Sequence, residues 1–134
     1  MQPTRINPAE LFDSRPYGFS QMVVTPPGER MIHMSGQVAW NAQEEIAGKD
    51  DLYAQVVQSL RNIETALRHV DATLDNVVAL HIYIKQSHMH VPNAVSRGLK
   101  EVFGENLPCA TWIGVPTLAN EEFLVEIEPT VVVW

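Results

Sequence analysis

Apolar residues fall into seven separated runs, and the spacing within each predicts its conformation. The clearest is a stripe of Leu52, Val56, Leu60, Ile63, Leu67 and Val70, recurring at steps of four, four, three, four and three. That period predicts an amphipathic helix of about five turns. Asp50 or Asp51 is placed to cap it, and Asp71 to Asn76 closes it. Val77 to Ile84 (Val-Val-Ala-Leu-His-Ile-Tyr-Ile) is dense in β-branched and aromatic residues and predicts a central strand. Val91 to Phe103 predicts a second helix, with Pro92 in its first turn and Gly104 at its end. Leu107 to Val115 and Phe123 to Val133 predict the last two strands.

Upstream, Tyr17 to Val24 is a strand candidate, and Met31 to Trp40 alternates well enough to pair with it as a hairpin across Thr25-Pro-Pro-Gly-Glu29. Ile32 and Met34 would face one side of that strand, and His33, Ser35 and Gln37 the other. Gly36 inside it predicts a bulge or a close approach by another backbone or a ligand. Residues 1–16, with Pro3, Pro8 and Pro16, read as an irregular arm. The order is β-β-α-β-α-β-β, an α+β class in one domain over residues 1–134, with two helices on one face of a sheet.

The predicted central strand has Val78, Leu80, Ile82 and Ile84 alternating with Val77, Ala79, His81 and Tyr83. This leaves it apolar on both sides. Two helices cover one face only, and an uncovered apolar face of this width exceeds what a soluble monomer normally shows. The expectation is a homo-oligomer closed through those faces, with clefts between subunits as the natural sites. In the last strand, Phe123, Val125 and Ile127 point one way while Leu124, Glu126 and Glu128 point the other. Glu is depleted in strands and rarely buried without a partner. These two carboxylates therefore either face water or sit in a cleft that uses them.

Composition narrows the function classes. The 134 residues are 46% hydrophobic and 19% charged, with a net charge of −7. Nucleic-acid affinity comes mostly from Lys and Arg neutralising phosphates, so the acid balance argues against a nucleic-acid partner. No apolar run reaches the roughly 18 residues of a membrane span, and the N-terminus has no hydrophobic signal core. The single cysteine, Cys109, excludes an intrachain disulfide and fits a reducing compartment. A cytoplasmic location and no membrane partner are expected.

The Arg15-Pro-Tyr17 stretch, Met34-Ser-Gly-Gln37, Val125-Glu-Ile-Glu128 and the helix order together resemble the reactive intermediate deaminase family (RidA, the YjgF-type proteins), from about residue 14 to residue 133. The resemblance implies a chorismate-mutase-like fold and a homotrimer, its sheets forming a central barrel with three small-molecule clefts between neighbours. It also implies cofactor-free hydrolysis of reactive enamines and imines such as 2-aminoacrylate, releasing ammonia and a 2-keto acid. Carried over by position, Glu126 matches the cleft glutamate that positions or activates the attacking water. Tyr17 matches the cleft tyrosine, Ser35 the hydroxyl of the Ser-Gly-Gln strand, and Gly36 a backbone position lining the pocket. Ser96, with Asn93 close by, falls where the archetype has an asparagine.

The departure lies in Pro108-Cys-Ala-Thr-Trp112, where deaminating members carry an arginine and this chain has Ala110. That arginine would pair with a substrate carboxylate, a contact worth about 1.5–3 kcal/mol. The neighbouring Cys109, Thr111 and Trp112 are neutral, and Glu126 would repel an anion. Efficient deamination of 2-imino acids is not expected. The remaining expectations are hydrolysis of a neutral or cationic molecule, with Glu126 as base and Ala110, Thr111 and Trp112 against the ligand, or a non-catalytic metabolite-binding or accessory trimer. An endoribonuclease or translation-inhibitor role, also attached to the family, fits the acidic chain least. Arg15 and Arg97 are the residues that could substitute for the missing arginine. No metal is expected: His88 and His90 supply only two ligands on a loop, and His81 reads as a partnered sheet histidine. Cys109 reads as a small packed residue opposite Ala110.

Overall fold

A computed structural model of the chain describes residues 3–134. The core is a four-stranded sheet in the order β3-β6-β4-β5, made of Arg30–His33 (β3), Val77–Lys85 (β4), Cys109–Val115 (β5) and Val125–Val133 (β6). β4 runs parallel to β5, and β6 is antiparallel to both β4 and β3. Helix α1 (Leu52–Arg68) packs across β6, with α2 (Ala94–Phe103) beside it on the same face. Among the described residues no helix is long and apolar enough to cross a membrane.

The stripe on α1 does what its period predicts. Leu52, Val56, Leu60, Ile63 and Leu67 are buried against Leu80, Ile82, Ile84, Val125 and Ile127. Asp51 caps the helix by accepting a hydrogen bond from the Ala54 amide at 3.0 Å. The stripe's last expected member, Val70, lies past the helix end and is exposed. There the Ala72 amide donates back to the Leu67 carbonyl, and Asp71 takes a positive φ of 56°, which turns the chain out of the helix. Pro92 likewise precedes α2, because Asn93 at the cap adopts φ 60°.

Two expectations fail at the N-terminal end. Residues 1–16 are not irregular throughout: Thr4–Ile6 forms β1, antiparallel to β2 (Met22–Val24), while Met1 and Gln2 of that arm lie outside the described residues. Nor do the first two predicted strands form a hairpin with each other. Pro26 and Pro27 supply no amide donors to continue such a ladder. β3 instead pairs with the far end of β6, where Ile32 lies opposite Val131.

The sheet's second face is less apolar than its sequence suggests. A register shift between Val77 and Ala79 on β4 interrupts the simple alternation. Ala79, His81 and Tyr83 then share the open face with Glu126, Glu128 and Thr130 of β6. His81 Nδ1 lies 3.2 Å from Glu128 Oε1.

Candidate functional site

The residues singled out in the sequence separate into two groups on opposite faces of the sheet. The first surrounds Ala110. On β5, Ala110 and Trp112 pair with Leu80 and Ile82 and so point to the helix-covered side. β5 is the sheet edge beside β4, which leaves these two residues at a rim rather than in the middle of the core.

The arm completes this rim. A short 3-10 turn, Arg15–Tyr17, ends at Gly18 with φ 96°, where a Cβ would lie 3.0 Å from Leu99 Cβ and 3.2 Å from the Ser96 carbonyl oxygen of α2. Glycine thus satisfies both the left-handed turn and the tight docking on α2. Ser14 is fully buried, and its hydroxyl donates to the Phe19 carbonyl at 2.6 Å. The Gln21 side chain donates to the Phe12 carbonyl at 3.0 Å, and the Gln21 amide donates to Asn7 Oδ1 at 2.9 Å. These bonds hold three rings over β5.

Phe12 meets Tyr17 and Phe19 edge to face at centroid separations of 6.2 and 6.1 Å, and Phe19 meets Trp112 at 6.3 Å. Phe12, Tyr17, Phe19, Ala110 and Trp112 border an open depression of about 420 Å³ with no charged residue in its lining. The Trp112 indole N–H is buried without a hydrogen-bond partner among the described residues. Ser96 is buried on α2 beneath Gly18, whereas Asn93 is exposed at the start of that helix.

Neither candidate arginine replaces the missing one at this cavity. Arg15 forms a two-pronged pair with Asp13, at 2.8 and 3.1 Å, and lines a different depression with Lys100, Gly104, Glu105 and Leu107. Its hydrogen bond holds the Asp13 carboxyl below the usual carboxylate value. The Arg97 guanidinium stacks over the Tyr53 ring at 4.2 Å.

The second group lies on the open face. Glu126 is opposite Tyr83, half-buried, and its carboxylate has no hydrogen-bond or ion-pair partner among the described residues. Gly36 runs alongside: a Cβ there would collide with the Glu126 side chain, lying 2.9 Å from its Cγ and 3.0 Å from its Cδ. The close approach is fixed by Gln37, whose backbone amide and carbonyl both bond to Ile127, at 2.8 and 2.9 Å. Ser35 is exposed next to Gly36. Thr111 pairs with His81, so it faces this open side and not the cavity that Ala110 and Trp112 line.

The remaining chemical groups are engaged elsewhere. Cys109 is half-buried with its Sγ 3.5 Å from the Gln21 carbonyl, and burial pushes its thiol up from the ordinary value. His88 Nδ1 lies 2.8 Å from the Ser87 hydroxyl. Among the described residues no three His, Cys, Asp or Glu side chains gather as a metal site. Phe12 and Phe19 are the lining residues that the pattern of the sequence does not single out. Phe12 sits in the arm, which has no period, and Phe19 in the strand predicted over Tyr17 to Val24, of which only Met22–Val24 forms; the docking of this segment brings both to β5.

Known proteins share this sequence pattern and fold. The family described as endoribonuclease L-PSP matches residues 13–133. The chain is similar over 99% of its length, at 38% identity and a TM-score of 0.88, to the whole of YyfB from Yersinia pestis, a protein of unknown function of the conserved Rid family. It is 26% identical, with a TM-score of 0.65, to Rv2704 from Mycobacterium tuberculosis, a member of the YjgF/YER057c/UK114 family, covering 98% of this chain and 100% of that one. YyfA from Yersinia pestis, another Rid-family protein of unknown function, is 26% identical with a TM-score of 0.67, covering 86% and 87% of the two chains. No curated protein matches the sequence.

Proposed function

Starting from a chain that belongs to the Rid (YjgF, endoribonuclease L-PSP) family, we propose that it is a homotrimer whose inter-subunit clefts bind and hydrolyse a small enamine or imine that carries no carboxylate. One observation carries this reading. Tyr17, Ala110 and Trp112 lie on one side of the sheet and Glu126, Gly36 and Ser35 on the other. Within one chain the sheet separates them; they can meet only when the open face of one copy abuts the β5 rim of another.

In such a cleft the unpaired Glu126 carboxylate is the base. It takes a proton from water as the oxygen attacks the imine carbon, and the C=N electron pair moves to nitrogen. Collapse of the resulting carbinolamine breaks the C–N bond, releasing ammonia and a carbonyl product. Gly36 leaves the space that the Glu126 side chain occupies, and the exposed Ser35 hydroxyl and the Tyr17 ring border the path. The same carboxylate would repel an anionic ligand and attract a protonated imine.

The uncharged lining at Ala110 sets the preference against 2-imino acids. RNA cleavage is not carried over from the family's description, because a net charge of −7 opposes phosphate binding. The unpartnered state of Glu126 also suits a second reading, a trimer that binds a cationic metabolite without turning it over.

A coupled assay separates these. With 2-aminoacrylate generated in situ, wild type is expected to be near background, Ala110→Arg to gain about 10–100-fold from the restored ion pair, and Glu126→Ala in that background to lose the gain. Full wild-type activity toward 2-aminoacrylate would sink the carboxylate-free reading. Wild type that binds but never hydrolyses a carboxylate-free imine would leave the binding trimer.

A further inference from the structure

We propose that the cavity at Ala110 selects ligands with an aromatic ring and a neutral or cationic nitrogen, so that the physiological substrate is an aryl-bearing imine derived from a primary amine. This rests on the cleft described above and adds the chemical class of its ligand.

Four observations support it. First, Phe12 and Tyr17 are 62% and 55% exposed, so neither ring serves the core. Nothing within the chain covers these rings; in the assembly proposed above they stand at the rim of the cleft, and such exposed apolar clusters mark binding sites. Second, the rings are held in place: the buried Ser14, the Gln21 side chain and the left-handed Gly18 all fix the backbone that carries them. Third, the size fits. A closed apolar cavity of about 150 Å³ takes a benzene ring; the open depression of about 420 Å³ has room for a ring with a short side chain, which the neighbouring copy would cover in the assembly proposed above. Ring edges and faces within reach of a bound aryl group favour offset or edge-to-face contact.

Fourth, the charge is one-sided. None of the residues that this chain contributes to the lining is charged, and the two candidate arginines are engaged elsewhere, Arg15 with Asp13 and Arg97 with Tyr53. A carboxylate would be desolvated against four aromatic rings without a partner. An ammonium or iminium group meets the same ring faces favourably.

The reaction is then R–CH=NH2⁺ + H2O → R–CHO + NH4⁺, with R bearing the ring. Water supplies the aldehyde oxygen, and nitrogen leaves with all four protons. Imines of this kind arise when an amine-oxidising enzyme passes two electrons from an arylalkyl primary amine to its own acceptor. The aldehyde product requires an aldehyde oxidase or reductase downstream.

Calorimetric titration of the full-length protein tests the class without depending on turnover. The probes are benzylammonium, benzamide, n-propylammonium and phenylacetate. Benzylammonium is expected to bind about tenfold or more tightly than n-propylammonium, and benzamide about tenfold or more tightly than phenylacetate. Phe12→Ala should reduce the affinity of both ring-bearing neutral and cationic probes several-fold and leave n-propylammonium unchanged. Ala110→Arg should shift preference toward phenylacetate. Equal binding of phenylacetate and benzamide, or of n-propylammonium and benzylammonium, overturns the proposal. So does a Phe12→Ala protein that dissociates in sedimentation with its aryl affinities intact, since the rings would then belong to the contact between copies. Turnover is not part of this readout: a protein that binds in the expected order yet hydrolyses nothing overturns the hydrolase reading alone.

Discussion

Ile127 and Glu128 are consecutive residues of β6 with opposite fates. Ile127 is fully buried between β4 and the helices, while the Glu128 side chain is 48% exposed and paired with an equally exposed His81. The same division runs through β4, where Ile82 is sealed and Tyr83 is not. One face of the sheet is held by the hydrophobic effect within the chain. The other carries polar and ionisable groups that the core does not use, and Glu126 stands among them. The sheet thus presents, in alternate residues, a buried support and, in the function proposed above, the surface that carries the chemistry.

Truncation of adjacent residues tests that division most severely. Ile127→Ala is expected to cost about 2–5 kcal/mol, through lost burial and an unfilled cavity. Glu128→Ala should cost within about 1 kcal/mol, as for exposed ion pairs generally. Urea unfolding measures both. If Glu128→Ala is as damaging as Ile127→Ala, the second face is sealed in the assembled protein, and the contrast between the faces disappears.

The next effect concerns a polar group on the sealed side. Gln55 is fully buried on α1, yet its amide donates to the carbonyls of Gly48 and Glu122 at 3.1 and 3.0 Å, and its oxygen accepts from the Leu124 amide at 2.9 Å. It ties the loop before α1 and the loop before β6 to one helix. Gln55→Leu keeps the volume but strands three backbone groups, which should cost about 2–4 kcal/mol. A urea midpoint near wild type would mean that water replaces those bonds.

The same division separates what the chain reveals by itself from what it does not. Leu52 to Leu67 and Leu80 to Ile84 contact partners at fixed helical and strand periods, so the sealed face is legible in the amino-acid sequence. Tyr17, Ala110 and Glu126 are marked by resemblance and spacing. Their separation onto two faces is not, because it depends on the register of Ala110 against Leu80 and of Glu126 against Tyr83. Sequence alternation overstates the apolar character of the second face for the same reason: the register shift at Val77/Ala79 and the acids of β6 are long-range facts. Phe19 escapes a pattern-based reading because the strand predicted over Tyr17 to Val24 forms only at Met22–Val24, and Phe12 because the arm has no period. Its position comes from the Ser14, Asn7 and Gln21 bonds and from β1 pairing with β2. At Gly36 the sequence is compatible with a bulge or with a close approach by another backbone or a ligand; what crowds the position is instead the Glu126 side chain.

That approach gives a prediction smaller in stability than in function. Gly36→Ala places a methyl group where Glu126 packs. The backbone at 36 has no left-handed requirement, so stability should change by about 1 kcal/mol or less. Ligand turnover should fall by about tenfold or more, since the carboxylate must move from its place. The measurement is turnover beside a thermal melt. An active, equally stable Gly36→Ala protein would show that the position of Glu126 is not critical, and would weaken the division at its chemical end.

The smallest effect belongs to the arm that carries the rings. Asp13 and Arg15 bracket the turn leading to Tyr17, and both are exposed, so water screens most of their attraction. The Arg15 side-chain hydrogen bond lowers the Asp13 pKa from its ordinary 3.8. A depressed carboxyl favours the folded arm above that ordinary value, and the contribution is lost as pH falls through the lower folded value. Asp13→Asn should therefore melt slightly below wild type near neutrality, and the two should converge at pH values below the depressed one. A difference that persists into that acid range would show that Asp13 acts through packing rather than charge. The arm would then be held over Ala110 by its buried Ser14 network alone, with the arginine that resembles a rescue candidate playing no part in positioning the rings.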